Sequence, residues 1–267
     1  MDIFAHTYST LACKELDWLV SDSEVNYTTN LKNNREQLNQ FGWLNTDNFF
    51  TYKFNDDGFR SNSLYTDQKS IMFLGCSYTV GIGISAQDRW STIVAKNLNL
   101  YEMNLGIGGS STDTAFRLAW YWIPKLTPNV VVCLPPGGQR YEFFNKEDRI
   151  DISSAHLDYV QKNHKAIADG YKEFVLSRQN IFFKQLKNLM AIDQLCSIHK
   201  SKFVIANMLN FTDIDLARDL LHPGIKSNQD FASSFLSEMD TDTEYQRHLY
   251  LHELWSHEPK SSWLNEF

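Results

Sequence analysis

The stretch "NVVVCLPPGG" at 129–138 constrains the fold more than any other part of the chain. An unbroken apolar run from Val130 to Leu134, rich in valine, suits a strand buried on both faces, and two prolines and two glycines stop it abruptly. Shorter versions of the same signature occur in "SIMFLG" from Ser70, "LYEMNLG" at 100–106 and "KFVIANML" from Lys202. Helix-length segments lie between them. "DRWSTIVAKNL" (88–98) has apolar residues at helical spacing, with Asp88 placed to cap its start, and "SSTDTAFRLAWYWIPKL" reads as a helix that ends near Pro124. A polar helical stretch around 154–178 precedes the long amphipathic "NIFFKQLKNLMAIDQLCSIHKS", and a further helix is expected near 227–238.

Strands alternating with helices of this length predict an α/β chain, a mostly parallel sheet between two helical layers. In such sheets ligands bind at the carboxyl ends of the strands. The glycine-rich and polar stretches after the first three strands, and "DLLHPG" beyond the fourth, would gather on that rim. We expect this main domain to span 68–239. Residues 1–67 are rich in Asn and carry Trp18, Trp43, Phe49, Phe50 and Tyr52, too many aromatics for a solvated tail. They are expected to be an N-terminal extension packed on the main domain, with a helix around Leu11–Val20 and a turn at "NDDG" (55–58). Residues 240–267 read as a helical appendage.

A chain of 267 residues that is 43% hydrophobic and 21% charged can bury a core without staples. Its net charge of −7, with no run of Lys or Arg, disfavours nucleic acid and anionic membrane as partners. The four cysteines are dispersed without a CxxC pair, and the two at predicted strand ends and the one in a predicted helix read as small buried hydrophobes, which fits a reducing compartment. The start of the chain lacks a basic segment followed by an apolar one, so the expected location is cytoplasmic, or outside the cell after release without a signal peptide.

Ser77 follows a predicted strand in "IMFLGCSYTVGIG", while Asp219 and His222 lie together in "DLLHP". A serine hydroxyl needs a base to take its proton and an acid to orient that base. Three residues apart on a helical turn or tight loop, Asp219 can reach the imidazole Nδ1, leaving Nε2 to face Ser77. The order Ser, Asp, His matches the α/β-hydrolases, but the G-x-S-x-G elbow fails because Thr79 stands where its second glycine belongs.

These residues together resemble the SGNH (GDSL-type) hydrolases. "GCSYTVG" is similar to their opening G-D-S-x-T-x-G, "NLGIGGSS" to their second block, and "DLLHPG" to their closing D-x-x-H-P. "NDDGFR" and "QDRW" look like flanks found in microbial and phage-like members. The resemblance covers roughly 55–238, with its blocks in order. It implies a flavodoxin-like α/β/α sandwich and a serine esterase working through an acyl-enzyme, with Ser77 as nucleophile, His222 as base and Asp219 as orienting acid. By the same match the amides of Ser77 and Gly109 serve the oxyanion and Asn104 supports the loop.

The chain departs from the family pattern at two places. Cys76 replaces the usual Asp before the nucleophile, and "LPPGGQRYE" replaces the third block, whose Asn donates to the oxyanion. A backbone N–H of Gly137 or Gly138, the Gln139 amide or the Arg140 guanidinium takes that place, or no third donor exists. The expected substrate is a small-molecule or carbohydrate ester, O-acetyl groups first, with no metal or organic cofactor. An acyltransferase with the same triad, and a non-catalytic protein that keeps the fold, are the alternatives.

Two further motifs have plainer readings. "GIGISA" (81–86) matches a dinucleotide fingerprint formally but starts too far from its strand. His248 and His252, one helical turn apart, lack a third ligand placed by any known motif.

Overall fold

The computed structural model describes residues 9–144, 149–153 and 157–239. The expected appendage at 240–267, with His248 and His252, lies outside the described residues. In chain order the strands are β1 (Glu15–Leu16), β2 (Tyr52–Lys53), β3 (Ser70–Leu74), β4 (Tyr101–Asn104), β5 (Val130–Cys133), β6 (Tyr141–Phe144), β7 (Arg149–Ile152) and β8 (Lys202–Ile205). The α-helices are α1 (Glu24–Asn33), α2 (Arg35–Gln40), α3 (Ser77–Val80), α4 (Trp90–Asn97), α5 (Thr112–Leu126), α6 (Leu157–Asn163), α7 (Lys165–Gly170), α8 (Arg178–Ile198) and α9 (Ile225–Glu238).

The central sheet has the order β4-β3-β5-β8, and every pairing in it is parallel. All residues of β3 are buried, and successive side chains enter opposite layers, as the two-residue period of a strand requires. Met72 and Leu74 join α5 and α8 in one core, with Trp122, Ile123, Leu189 and Ile192. Ile71 and Phe73 face α4 and α9 in the other, where the Trp90 ring meets Phe73 and Phe231 edge-on at 5.1 and 5.2 Å. The molecule is therefore an α/β/α sandwich with a parallel sheet. Its strand order reverses between β3 and β5, which opens a crevice beyond their carboxyl ends.

Local structure differs from the sequence expectation at several points, each with a physical reason. No helix forms over Leu11–Val20. Cys13 and Val20 have φ of 57° and 53°, the short β1 pairs with β2, and residues 19–22 make a tight turn. Helix α1 starts instead behind Ser23, whose hydroxyl accepts the Asn26 N–H. Asp88 does not cap α4: it lies in a 3-10 turn, and the Trp90 N–H is satisfied by Asn228 Oδ1 from α9. A partner helix supplied what the local sequence was expected to provide. Helix α5 runs through Pro124 to Leu126 before Thr127 ends it, so Pro124 costs only the one i→i−4 bond to the Trp120 carbonyl in the last turn. Its start is fixed by a capping box between Ser111 and Thr114. The antiparallel pair β6–β7 is an addition to the expected elements, with the alternating Arg149–Ile152 as its one short signal, and a bidentate Arg117–Glu142 ion pair (2.7 and 2.9 Å) fastens it to α5.

Candidate active site

Ser77 opens the single turn α3 directly beyond β3 and is 9% exposed. Gly75 is required there by close approach. A Cβ would stand 2.2 Å from Thr79 Oγ1 and 3.0 Å from the Leu134 carbonyl oxygen. The residue that abolishes the elbow motif is thus folded back onto the glycine before the nucleophile. Cys76 is fully buried, which fits its bland reading.

The loop after β4 is sewn to the same turn. Asn104, itself buried, donates to the Thr79 carbonyl at 2.7 Å and to Ser91 Oγ at 2.9 Å, and accepts the Gly106 N–H at 3.0 Å. Ile107 N–H and Ser110 Oγ–H both donate to the Gly75 carbonyl. Gly109 follows with a φ of 75°, a conformation that favours glycine. Among the described residues, the Ser77 and Gly109 N–H groups donate no hydrogen bond.

Asp219 and His222 stand in a tight loop closed by the Leu216–Pro223 bridge and the Ala217 N–H to His222 carbonyl bond. His222 Nδ1 lies 2.6 Å from Asp219 Oδ2, with the carboxylate fully enclosed and the imidazole 15% exposed. Oδ1 accepts the Leu221 and His222 backbone N–H groups at 3.0 and 3.1 Å. Burial alone would raise the Asp219 carboxyl. The His222 hydrogen bond and charge, with donations from Ser21 and the Leu221 N–H, outweigh burial and hold it below its ordinary value. The His222 ring packs edge-on against Tyr78, 5.7 Å between centroids, which seats the imidazole beside the residue following Ser77. The final contact is not made: no hydrogen bond joins Ser77 Oγ to His222 among the described residues.

The four candidates for a third oxyanion donor form one turn after β5, closed by the Arg140 N–H to the Gly137 carbonyl. The turn is bound to α8. Gln185 donates to the Pro136 carbonyl at 3.0 Å, Lys184 donates to the Arg140 carbonyl, and a Cβ on Gly138 would strike Ile181 and Gln185. The Gln139 amide lies over Gly137, and the Gln139 carbonyl accepts from Tyr171. Arg140 keeps Nε and Nη1 buried without a partner. None of these groups bonds to Ser77 or His222.

"GIGISA" is occupied by the chain itself. Arg60 donates to the Val80, Gly81 and Ile84 carbonyls, and the Gly83 N–H donates to Tyr52 Oη, so the loop turns carbonyls rather than amides toward its charged neighbour. A cavity of about 620 Å³ lies alongside, lined by Trp43, Phe49, Phe50, Arg60 and Gln87 among others. It contains no member of the Ser77–Asp219–His222 set, so chemistry and not volume locates the candidate site.

Sequence reasoning missed the contribution of the N-terminal segment. Ser21 Oγ–H donates to Asp219 Oδ2 at 2.7 Å, across 198 positions of sequence. Next to it, Asp22 and Arg218 form a bidentate pair with both side chains 1% exposed. The Arg218 guanidinium is also stacked by Trp18 and Phe50, at 4.1 and 4.5 Å. Trp43 Nε1 and Asn30 Nδ2 donate to the Leu216 and Asp219 carbonyls. The only local hint was the density of aromatics in a segment without periodicity.

No family model matches the sequence, and no curated protein matches it. Solved structures do match. A structure described as TesA is 10% identical with a TM-score of 0.43, covering 64% of this chain and 98% of that one. A protein assigned to the lipolytic G-D-S-L family from Desulfitobacterium hafniense is 11% identical (TM-score 0.35; 64% and 74% covered). An acetyl xylan esterase, Est2A, from Butyrivibrio proteoclasticus is 14% identical (TM-score 0.39; 67% and 65% covered).

Proposed function

We propose that this chain is a serine esterase of the SGNH type that cleaves a small carboxylic ester through an acyl-enzyme. The observation that carries the reading is the Asp219–His222 pair, 2.6 Å apart, buried on the acid side and seated against Tyr78 beside the candidate nucleophile. In the proposed cycle His222 Nε2 takes the Ser77 proton as Oγ attacks the acyl carbon. The oxyanion forms against the Ser77 and Gly109 N–H groups, which carry no internal hydrogen bond. The tetrahedral adduct expels the alcohol, which leaves with the proton held by His222. Water then attacks the acyl-enzyme, passing a proton to His222, and Ser77 regains its proton as the acid departs. Asp219 holds the imidazole tautomer and balances its charge throughout.

A nucleophile only 9% exposed favours a short acyl group, and an O-acetyl ester on carbohydrate is the substrate class we propose first. The test is hydrolysis of p-nitrophenyl acetate and butyrate by wild type and Ser77→Ala. Turnover that vanishes in the variant supports the reading, and equal rates remove it. The unmade Ser77–His222 hydrogen bond favours a second reading, a non-catalytic protein that retains the fold, and equal rates would leave that one standing. Formation of a new ester when an alcohol acceptor is added would reassign the chemistry to acyl transfer.

A further inference from the structure

We infer that Ser21, supplied by the N-terminal segment, is a positioning residue that holds the Asp219 carboxylate in the orientation His222 needs. The inference rests on the triad reading above. Asp219 Oδ2 is the atom next to His222 Nδ1, and the Ser21 hydroxyl donates to that same oxygen at 2.7 Å. With Leu221 and His222 N–H groups on Oδ1, four donors fill the acceptor capacity of the carboxylate.

The donors differ in kind. Those from Leu221 and His222 belong to the same loop as the carboxylate and move with it. Ser21 comes from a different part of the chain and ties Oδ2 to a fixed frame. That frame is well built. Leu19 and Asp22 exchange backbone hydrogen bonds at 2.8 and 3.1 Å, and Asn26 Nδ2 donates to the Ser21 carbonyl at 2.8 Å. Asp22 grips Arg218, the residue before Asp219, on its Nε and Nη2. Within the 19–22 turn Val20 adopts a φ of 53° while 68% exposed, so a β-branched residue sits in a left-handed conformation with no burial to justify it. The turn that carries this strain is the one that aims Ser21 at Asp219. The hydroxyl also helps keep Asp219 ionised inside the protein.

Ser21→Ala and Ser21→Thr in the full chain test this, with Ser77→Ala alongside. In Ser21→Ala the turnover number for p-nitrophenyl acetate is expected to fall about tenfold with KM unchanged, the scale of one lost hydrogen bond. Threonine keeps the hydroxyl and is expected to restore most of the rate. The low-field proton resonance of His222 Nδ1–H is expected to shift in Ser21→Ala and to return in Ser21→Thr. A merely structural role would lower the folded fraction and leave that resonance of the folded protein in place. An unmoved resonance, or wild-type turnover in Ser21→Ala, overturns the inference. If wild type and Ser77→Ala are equally inactive, the esterase reading fails, and the resonance still decides the role of Ser21.

Discussion

Two loops leave neighbouring strands of the same sheet and are finished to different degrees. The loop after β8 carries Asp219 and His222, and each carboxylate lone pair there has a donor. The turn at 137–140, after β5, is clamped to α8, yet its one cation keeps two buried nitrogens without a partner. A fully paired group is held in one orientation by its partners. An unpaired buried donor is a standing cost that a ligand or a reacting oxyanion can relieve. The Asp219–His222 pair is held in place by the fold, and Arg140, which we propose faces the reacting group, keeps donors that a bound group can complete.

Four experiments would break or sharpen this contrast. Asp219→Asn removes the group on which the finished loop depends, and ester turnover should drop about a thousand- to ten-thousandfold with the fold intact. Steady-state kinetics with circular dichroism as control measures it, and a loss under tenfold would mean that this loop is not catalytic. Arg218→Met strands the buried Asp22 carboxylate, so urea unfolding should show a loss of about 3–5 kcal/mol. Stability close to wild type would remove the N-terminal clamp as the reason the Asp219 loop is ordered.

Arg140→Leu separates the two loops. Removing unpaired buried donors should raise Tm by a few degrees, while loss of an oxyanion donor should lower turnover about a hundredfold. A variant that is more stable and equally active would dismiss Arg140 as that donor. The smallest effect concerns acid. Asp219 titrates lower in the folded protein than unfolded, so its ionised form stabilises fully above the unfolded value of about 3.9 and that contribution is lost as pH falls through the folded value. Tm measured from pH 7 downward should therefore fall faster at the acid end in wild type than in Asp219→Asn. Parallel curves would show that the pair does not contribute to folding stability.

The central strands were legible because they are buried on both faces, so their apolar runs had no need of alternation to be recognised. The elements that were misread sit where distant groups overrule local ones. Asp88 looked like a cap, but Asn228 reached the Trp90 N–H first. The stretch around Leu11–Val20 had helical spacing, but the chain bends at Cys13 and Val20 to bring Trp18 onto Arg218 and Ser21 onto Asp219. The β6–β7 pair depends on a Glu142–Arg117 ion pair that no pattern within either strand reveals.

The sequence by itself determined the layered α/β architecture and the close pairing of Asp219 with His222, because burial of strands and a three-residue loop are local matters. It also placed Ser77 and Asn104 at strand ends that a parallel sheet must bring to one rim. Only the tertiary structure decided which distant group serves the carboxylate and what shapes the turn after β5. The Ser21 hydroxyl arrives from 198 positions away, and the 137–140 turn takes its shape from Lys184, Gln185 and Tyr171. Hydrogen bonds between segments far apart in the chain follow from the packed fold, and no spacing in the sequence records them.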